Sequence, residues 1–118
     1  MGRRFSELLA DVSGLELPVP SSGSAENIYW VYGVVLKASV PYDAEEAMRR
    51  LASVGVGTRS FFWPMHEQPV FRKMGMFVGE SYPEAERLAR RGFYIPSGLA
   101  LTGDQMERVA SRLKDVLQ

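Results

Sequence analysis

The residues best suited to chemistry lie in one stretch, residues 55–69. It contains the only histidine of the chain, His66, and an arginine, Arg59, that precedes the aromatic run 61–63. An arginine guanidinium offers a planar set of donors for a carboxylate or a phosphate. Aromatic rings offer flat faces for stacking, and a histidine can donate or accept a proton near neutral pH. The stretch therefore combines the residue types that a binding site for an anionic ligand would need.

Each of these residues also has a purely structural interpretation. Arg59 could be a surface side chain at the end of a strand. His66, which is flanked by prolines, could pin its loop by hydrogen bonding. The aromatic residues Tyr29, Trp30 and Tyr32 could form a stacking platform for bases or sugars. At the spacing of a strand, however, we expect these three aromatic side chains in the core.

Composition excludes several classes of function. The 118 residues are enough for one domain, residues 1–118. Lys plus Arg and Asp plus Glu are 14 each, so no net charge favours nucleic acid or an anionic membrane. The absence of cysteine excludes disulfides and thiol nucleophiles, and a single histidine argues against a transition-metal site. No apolar run reaches the length of a membrane span. We therefore expect a cytoplasmic protein with no metal, nucleic-acid or membrane partner.

Familiar catalytic constellations are also missing. The serines at 60, 81 and 97 have no His and Asp partners at a recognised spacing. Gly55 and Gly57 do not form a phosphate loop. The acidic residues at 43, 45 and 46 are typical of a helix N-terminus rather than of a catalytic carboxylate pair.

The elements that must position these residues predict a small α+β domain. Residues 27–38 are rich in aromatic and β-branched residues and predict a strand, and residues 56–62 and 93–95 predict two shorter ones. A short helix is predicted over residues 4–12. Three further helices each begin with a capping-box pattern: Asp43 with Glu46, Ser81 with Glu84, and Thr102 with Gln105. The prediction is a sheet of about three strands, mostly antiparallel, covered by helices.

The segment from residue 63 to residue 80 has no clear period and many apolar residues. Long structureless segments in compact domains are usually functional, and this one is too apolar for a linker. We expect it to be buried against another chain, most simply a second copy, with Phe71, Met74, Met76 and Phe77 among the contacts.

Three stretches resemble a known family. They are residues 27–36, 55–69 and 82–102, with the sequences NIYWVYGVVL, GVGTRSFFWPMHEQP and YPEAERLARRGFYIPSGLALT. In this order and at this spacing they are similar to the C-terminal domain of the bacterial PLP-dependent nucleotide-sugar aminotransferases of the DegT/StrS class, most of all to perosamine synthases. The resemblance runs from about Arg3 to the end of the chain.

The resemblance implies a fold like the small domain of fold-type I aminotransferases. Enzymes of that class are dimers that use pyridoxal phosphate to move an amino group, usually from glutamate, onto a keto-sugar nucleotide. The lysine that binds the cofactor belongs to their large domain, and Lys37, Lys73 and Lys114 do not lie in its motif. By the same resemblance, the stretch from Thr58 to His66 lies near the cofactor cleft, so Thr58, Arg59 and His66 are expected on the substrate side.

These expectations leave three hypotheses for the chain. In the first, it is a detached aminotransferase C-terminal domain that binds no cofactor, is inactive alone, and associates with itself or with a partner chain. In the second, it is a small module that binds a nucleotide sugar or an amino acid. In the third, it is one part of an enzyme whose large PLP-binding domain is a separate chain. None of the three makes this chain alone a transaminase.

Overall fold

This computed structural model describes residues 1–117, which contain helices and two small antiparallel sheets. This confirms the prediction of an α+β domain. The helices are α1 (Gly2–Leu9), α2 (Ala44–Ser53), α3 (Pro69–Lys73), α4 (Pro83–Arg91) and α5 (Gly103–Leu117), with a 3-10 turn at Met65–Glu67. The strands are β1 (Leu15–Glu16), β2 (Ser21–Ser22), β3 (Ala25–Glu26), β4 (Tyr32–Leu36), β5 (Arg59–Ser60) and β6 (Gly92–Ile95).

The main sheet has the strand order β1-β4-β6-β5, and every neighbouring pair is antiparallel. The central pair is β4 with β6, where Val34 lies opposite Phe93. About three strands were predicted; the fourth is β1, which pairs Leu15 with Leu36 and was not among the predicted strands. Strands β2 and β3 form a separate two-stranded hairpin.

One face of the main sheet carries the core. Tyr32, Val34 and Phe93 are fully buried there, and α1, α2 and α5 cover them with apolar side chains such as Phe5 and Leu113. Burial of each large apolar side chain stabilises the fold by roughly 1.5–3 kcal/mol. The Tyr32 hydroxyl is not left unpaired, since it lies 2.9 Å from Ser6 Oγ.

Trp30 is not in the core, contrary to the sequence prediction. The predicted strand 27–38 begins only at Tyr32, and Trp30 is 76% exposed. The backbone changes direction just before it: Asn27 Oδ1 accepts a hydrogen bond from the Tyr29 amide, and Tyr29 has a φ of +50°. Because a strand's inward and outward positions alternate, this turn removes Trp30 from the inward set, while Tyr32 stays in it.

Other predicted elements are present with different limits. The first helix spans Gly2–Leu9 rather than residues 4–12, and the strand predicted over 56–62 is only Arg59–Ser60. The Thr102–Gln105 capping box of α5 is confirmed by hydrogen bonds in both directions. The Ser81–Glu84 box of α4 is wrong, because the N-cap residue is Tyr82, and its amide donates to the Glu86 carboxylate.

Residues 68–81, which contain α3, form a largely exposed segment that we call the arm. Along it Val70, Met74, Met76 and Val78 are between 42% and 81% exposed, while Phe71 and Phe77 pack edge to face with ring centroids 5.9 Å apart. No helix within residues 1–117 is long and apolar enough to cross a membrane.

Candidate functional site

Arg59 lies at the edge of the main sheet beside an open cleft. It is directly opposite Tyr94 in the pairing of β5 with β6. Opposite residues of an antiparallel pair project to the same side of a sheet. The cleft that they share has a volume of about 430 Å³ and is lined by Val31, residues 57–59 and residues 94–97.

The cleft offers donors for an anion. Arg59 is exposed and makes none of the ion pairs found among residues 1–117. The side chains of Thr58 and Ser97, both half-buried, line the same space and carry hydroxyl groups. A guanidinium that is not neutralised by a carboxylate can form charge-assisted hydrogen bonds to a phosphate or a carboxylate. The arrangement is therefore suited to an anionic group.

Aromatic rings form the neighbouring surface. Phe61 lies against Tyr94, with ring centroids 4.7 Å apart, and Phe62 meets the same ring edge-on at 6.4 Å. Phe62 is 77% exposed. A flat ligand ring could stack on this surface next to the arginine.

His66 lies outside that cleft, in a buried cluster at the base of the arm. It is 6% exposed, and its Nε2 donates to Glu86 Oε1 over 2.9 Å. The Tyr82 ring meets the imidazole edge-on at 4.9 Å, and Arg72 Nε donates to the His66 carbonyl. These contacts match the loop-pinning role that the sequence left open beside a ligand role.

Glu86 joins both ends of the arm to α4. Its Oε1 accepts hydrogen bonds from His66 before the arm and from the Ser81 hydroxyl and the Tyr82 amide at its end. The Tyr82 amide and then the His66 imidazole lower the pKa of the Glu86 carboxyl below its usual value. A carboxylate held by three donors is stabilised in its ionised form.

Arg90, one turn further along α4, also anchors the residues that precede the arm. Its guanidinium donates to Glu67 Oε1 over 2.8 Å and lies 5.0 Å from the centre of the Trp63 ring. Ligand atoms of His66, Glu67 and Glu86 lie within 4.8 Å of one another, the spacing of a metal site. A cation there would have to compete with Arg90 and with the donors on Glu86, so we assign this cluster to anchoring the arm.

The structure thus brings together two of the three residues predicted for the substrate side. Thr58 and Arg59 share the cleft, and His66 does not line it. Sequence analysis missed Tyr94, Ser97 and Glu86. Tyr94 and Ser97 lie within a stretch used for the family resemblance, but their approach to Arg59 depends on the pairing of β5 with β6, which neither segment encodes locally.

Comparison with known proteins gives a family. The family model described as the DegT/DnrJ/EryC1/StrS aminotransferase family matches residues 1–114. The dTDP-3-amino-3,4,6-trideoxy-alpha-D-glucose transaminase of Micromonospora megalomicea subsp. nigra is 30% identical over 120 residues, which are 99% of this chain and 31% of that protein. The GDP-perosamine synthase of Caulobacter vibrioides is 24% identical over 94 residues, 80% of this chain and 24% of that protein.

A solved structure agrees with these matches. The aminotransferase TlmJ from Streptoalloteichus hindustanus superposes with a TM-score of 0.80 at 29% identity, over 98% of this chain and 30% of that one. The chain thus spans about a third or less of the length of the relatives that it matches.

Proposed function

The chain belongs to the DegT/DnrJ/EryC1/StrS aminotransferase family, and on that premise we propose that it supplies the small-domain side of a substrate site for a nucleotide sugar. Arg59 and Thr58 bind the anionic part of that substrate in this proposal. The observation that carries it is the cleft of about 430 Å³ whose lining includes Arg59 and two hydroxyl side chains; Arg59 takes part in none of the ion pairs within residues 1–117.

The position of the cleft supports this role. It is open at the edge of the sheet and is formed by one end of β6 and the approach to β5. A ligand bound there by this chain alone would remain largely exposed, whereas small-molecule sites usually bury most of their ligand. The proposal therefore includes an opposite wall that comes from a large domain of the family or from a second copy of this chain.

His66 contributes to the substrate side indirectly in this proposal, by holding the loop that follows β5. Its hydrogen bond to Glu86 fixes residues 63–67, which continue directly from the Arg59 strand. In this role His66 does not touch the ligand; it anchors the loop that follows the strand carrying Arg59.

The family depends on pyridoxal phosphate, which would need a lysine to hold it and would supply an electron sink for the amino group when bound. The lysines of this chain do not fit that task. Lys37 and Lys73 are exposed, Lys114 is paired with Asp11 at 2.7 Å, and none of the three lines the Arg59 cleft. We therefore propose that residues 1–118 alone form no aldimine and catalyse no amino transfer. A borohydride-stable cofactor adduct on any of these lysines would contradict this.

Ligand titration followed by NMR tests the proposal. We expect inorganic phosphate and a dTDP-sugar to shift signals of the cleft residues weakly, and glutamate to compete if a carboxylate occupies the same position. Arg59→Ala should remove these shifts, because the remaining hydroxyls carry no charge. Arg108→Ala is the matched control, since Arg108 is an exposed arginine on α5 that does not line the cleft.

Two results would change the conclusion. Shifts that survive Arg59→Ala unchanged would exclude Arg59 as the anion-binding residue. Tight binding of a nucleotide sugar or of glutamate by the chain alone would favour the second hypothesis, an independent binding module.

A further inference from the structure

Phe61 lies in a space that two glycines leave open on the outer face of the main sheet. The outer face is the one opposite the core. Pairing places Gly33 opposite Tyr94, and Tyr94 opposite Arg59, so these three residues form one row across β4, β6 and β5. The next row on this outer face contains Val35, Gly92 and Phe61. Val35 pairs with Gly92, and the Phe61 amide donates to the Gly92 carbonyl.

The ring of Phe61 occupies the positions that side chains at both glycines would need. A Cβ atom added at Gly33 would lie 2.8 Å from Phe61 Cζ and 3.0 Å from its Cε1. One added at Gly92 would lie 2.4 Å from Phe61 Cδ2. Contacts this short do not occur between carbon atoms at rest, so any side chain at either position would displace the ring.

From this geometry we propose that Phe61 is the positioning residue for the anion site, and that Gly33 and Gly92 form its socket. The inference rests on the proposed role of Arg59 in binding an anion. Phe61 is two residues beyond Arg59, so both side chains project to the same face. Phe61 also contacts Tyr94, the cross-strand neighbour of Arg59.

The backbone alone holds β5 weakly. The strand has only two residues, it lies at the edge of the sheet, and its continuation is a long hydrogen bond of 3.4 Å from the Phe61 amide. Edge segments with few hydrogen bonds open easily. The seated ring therefore sets the distance between β5 and the sheet, and with it the position of Arg59 over the cleft.

A size exchange across the socket tests this. Gly33→Ala is the primary variant, because Phe61 atoms are the only ones closer than 3.4 Å to the added methyl group, whereas a methyl group at Gly92 would also meet the Leu88 carbonyl. The double variant Gly33→Ala with Phe61→Leu gives the methyl group room. Gly98→Ala is the control, since nothing lies within 4 Å of its added methyl group.

Two readouts separate this inference from the proposed function. Without ligand, NMR signals of the Arg59 Nε–H group and the Tyr94 ring report their positions. With inorganic phosphate as the probe, the dissociation constant measures the affinity of the anion site. We expect Gly33→Ala to shift both sets of signals and to weaken phosphate binding about tenfold, equivalent to one hydrogen bond to a charged group. In the double variant, the signals and the dissociation constant should return towards the values of the parent. Gly98→Ala should change neither the signals nor the dissociation constant.

Each result decides one of the two ideas. If Gly33→Ala leaves the Arg59 and Tyr94 signals in place, or if Phe61→Leu fails to restore them in the double variant, Phe61 is not the positioning residue. If Gly33→Ala does not fold, the double variant alone decides by the same signals. If phosphate does not bind the parent while the ligand-free signals move and recover, the socket is supported and the anion site is not.

Discussion

Trp30 shows how a single residue can reverse a sequence prediction. Its neighbours are apolar and its spacing is that of an inward strand position, but the strand begins two residues later. The residue that indicates a turn before Trp30 is Asn27, whose side chain accepts a hydrogen bond from the Tyr29 amide. Tyr29 then takes a positive φ, which aromatic residues rarely adopt.

Replacing Trp30 with Ala should therefore change stability little. An exposed side chain without specific contacts contributes within about 0.5 kcal/mol. Leu113→Ala is the control: its side chain is fully buried, and we expect a loss of about 2–5 kcal/mol. Urea unfolding of both variants measures the difference. A loss for Trp30→Ala as large as that for Leu113→Ala would place the indole in the core.

At the scale of residues, the sequence could name Thr58 and Arg59 as candidates because the family resemblance covers them. The structure places both at one cleft, and their role in binding stays a prediction. The environment of His66 could not be assigned, because Glu86, its partner, is 20 residues away and no local pattern links the two. The importance of Gly33 was hidden for the same reason, since the ring that needs its space comes from another strand.

At the scale of elements, helix caps were predicted where the cap is local. Asp43 accepts from the Glu46 amide, although the Glu46 carboxylate then binds Arg49 and Arg50 rather than completing the box. For α4 the pattern failed because the carboxylate comes from the second turn of the helix. Glu86 takes the Tyr82 amide, and Glu84 pairs with Arg87.

Glu86 should therefore stabilise the protein in a pH-dependent manner. Its pKa is lowered in the folded state by the Tyr82 amide and by His66. A carboxyl whose folded pKa is depressed contributes stability above its unfolded pKa and loses it as the pH falls through the folded value. Glu86→Ala should lower the midpoint of urea unfolding at pH 7, and the gap to the parent should narrow below the ordinary pKa of 4.5.

The matched control for that experiment is Glu84→Ala. It removes the same residue type from the same helix, but its carboxylate is 79% exposed, and its one partner within residues 1–117 is Arg87. We expect a much smaller shift of the midpoint for it at every pH. A gap for Glu86→Ala that stays constant down to pH 3 would show that its ionised carboxylate is not what holds the arm.

Strand limits were the least predictable feature of the elements. Residues 56–62 have strand-like composition, but only Arg59 and Ser60 pair, because β5 is an edge strand with one neighbour. Conversely, Leu15–Glu16 was not predicted as a strand, and it forms one by pairing with the edge of β4. Pairing of this kind depends on tertiary position more than on propensity.

For the molecule as a whole, the exposed apolar residues of the arm favour association. Met74 is 67% exposed and Val78 is 81% exposed on a segment whose base is fixed to α4. Burial of apolar area stabilises a complex by roughly 25 cal/mol per Å² before the costs of association. We therefore expect a homodimer through the arm, with Phe71, Met74, Met76 and Phe77 among the buried contacts.

Light scattering across a dilution series measures this association. The parent should approach twice the chain mass at high concentration, and Met74→Asp should remain a monomer, because a carboxylate would have to be desolvated in the contact. Val19→Asp is the control, as Val19 is a 63% exposed apolar residue outside residues 68–81. A parent that stays monomeric throughout, or a control that dissociates as well, would argue against the arm as the contact.

The double anchoring of the arm also bears on how chains of this fold can diverge. Glu86 and Arg90 hold residues on both sides of the excursion, so its two ends are kept close whatever lies between them. The entropy of closing such a loop rises only with the logarithm of its length, about 0.6 kcal/mol for each doubling. Insertions or deletions between the two anchors should leave the sheet and its cleft almost untouched. The arm is thus where length can vary at little thermodynamic cost while the Arg59 edge is retained.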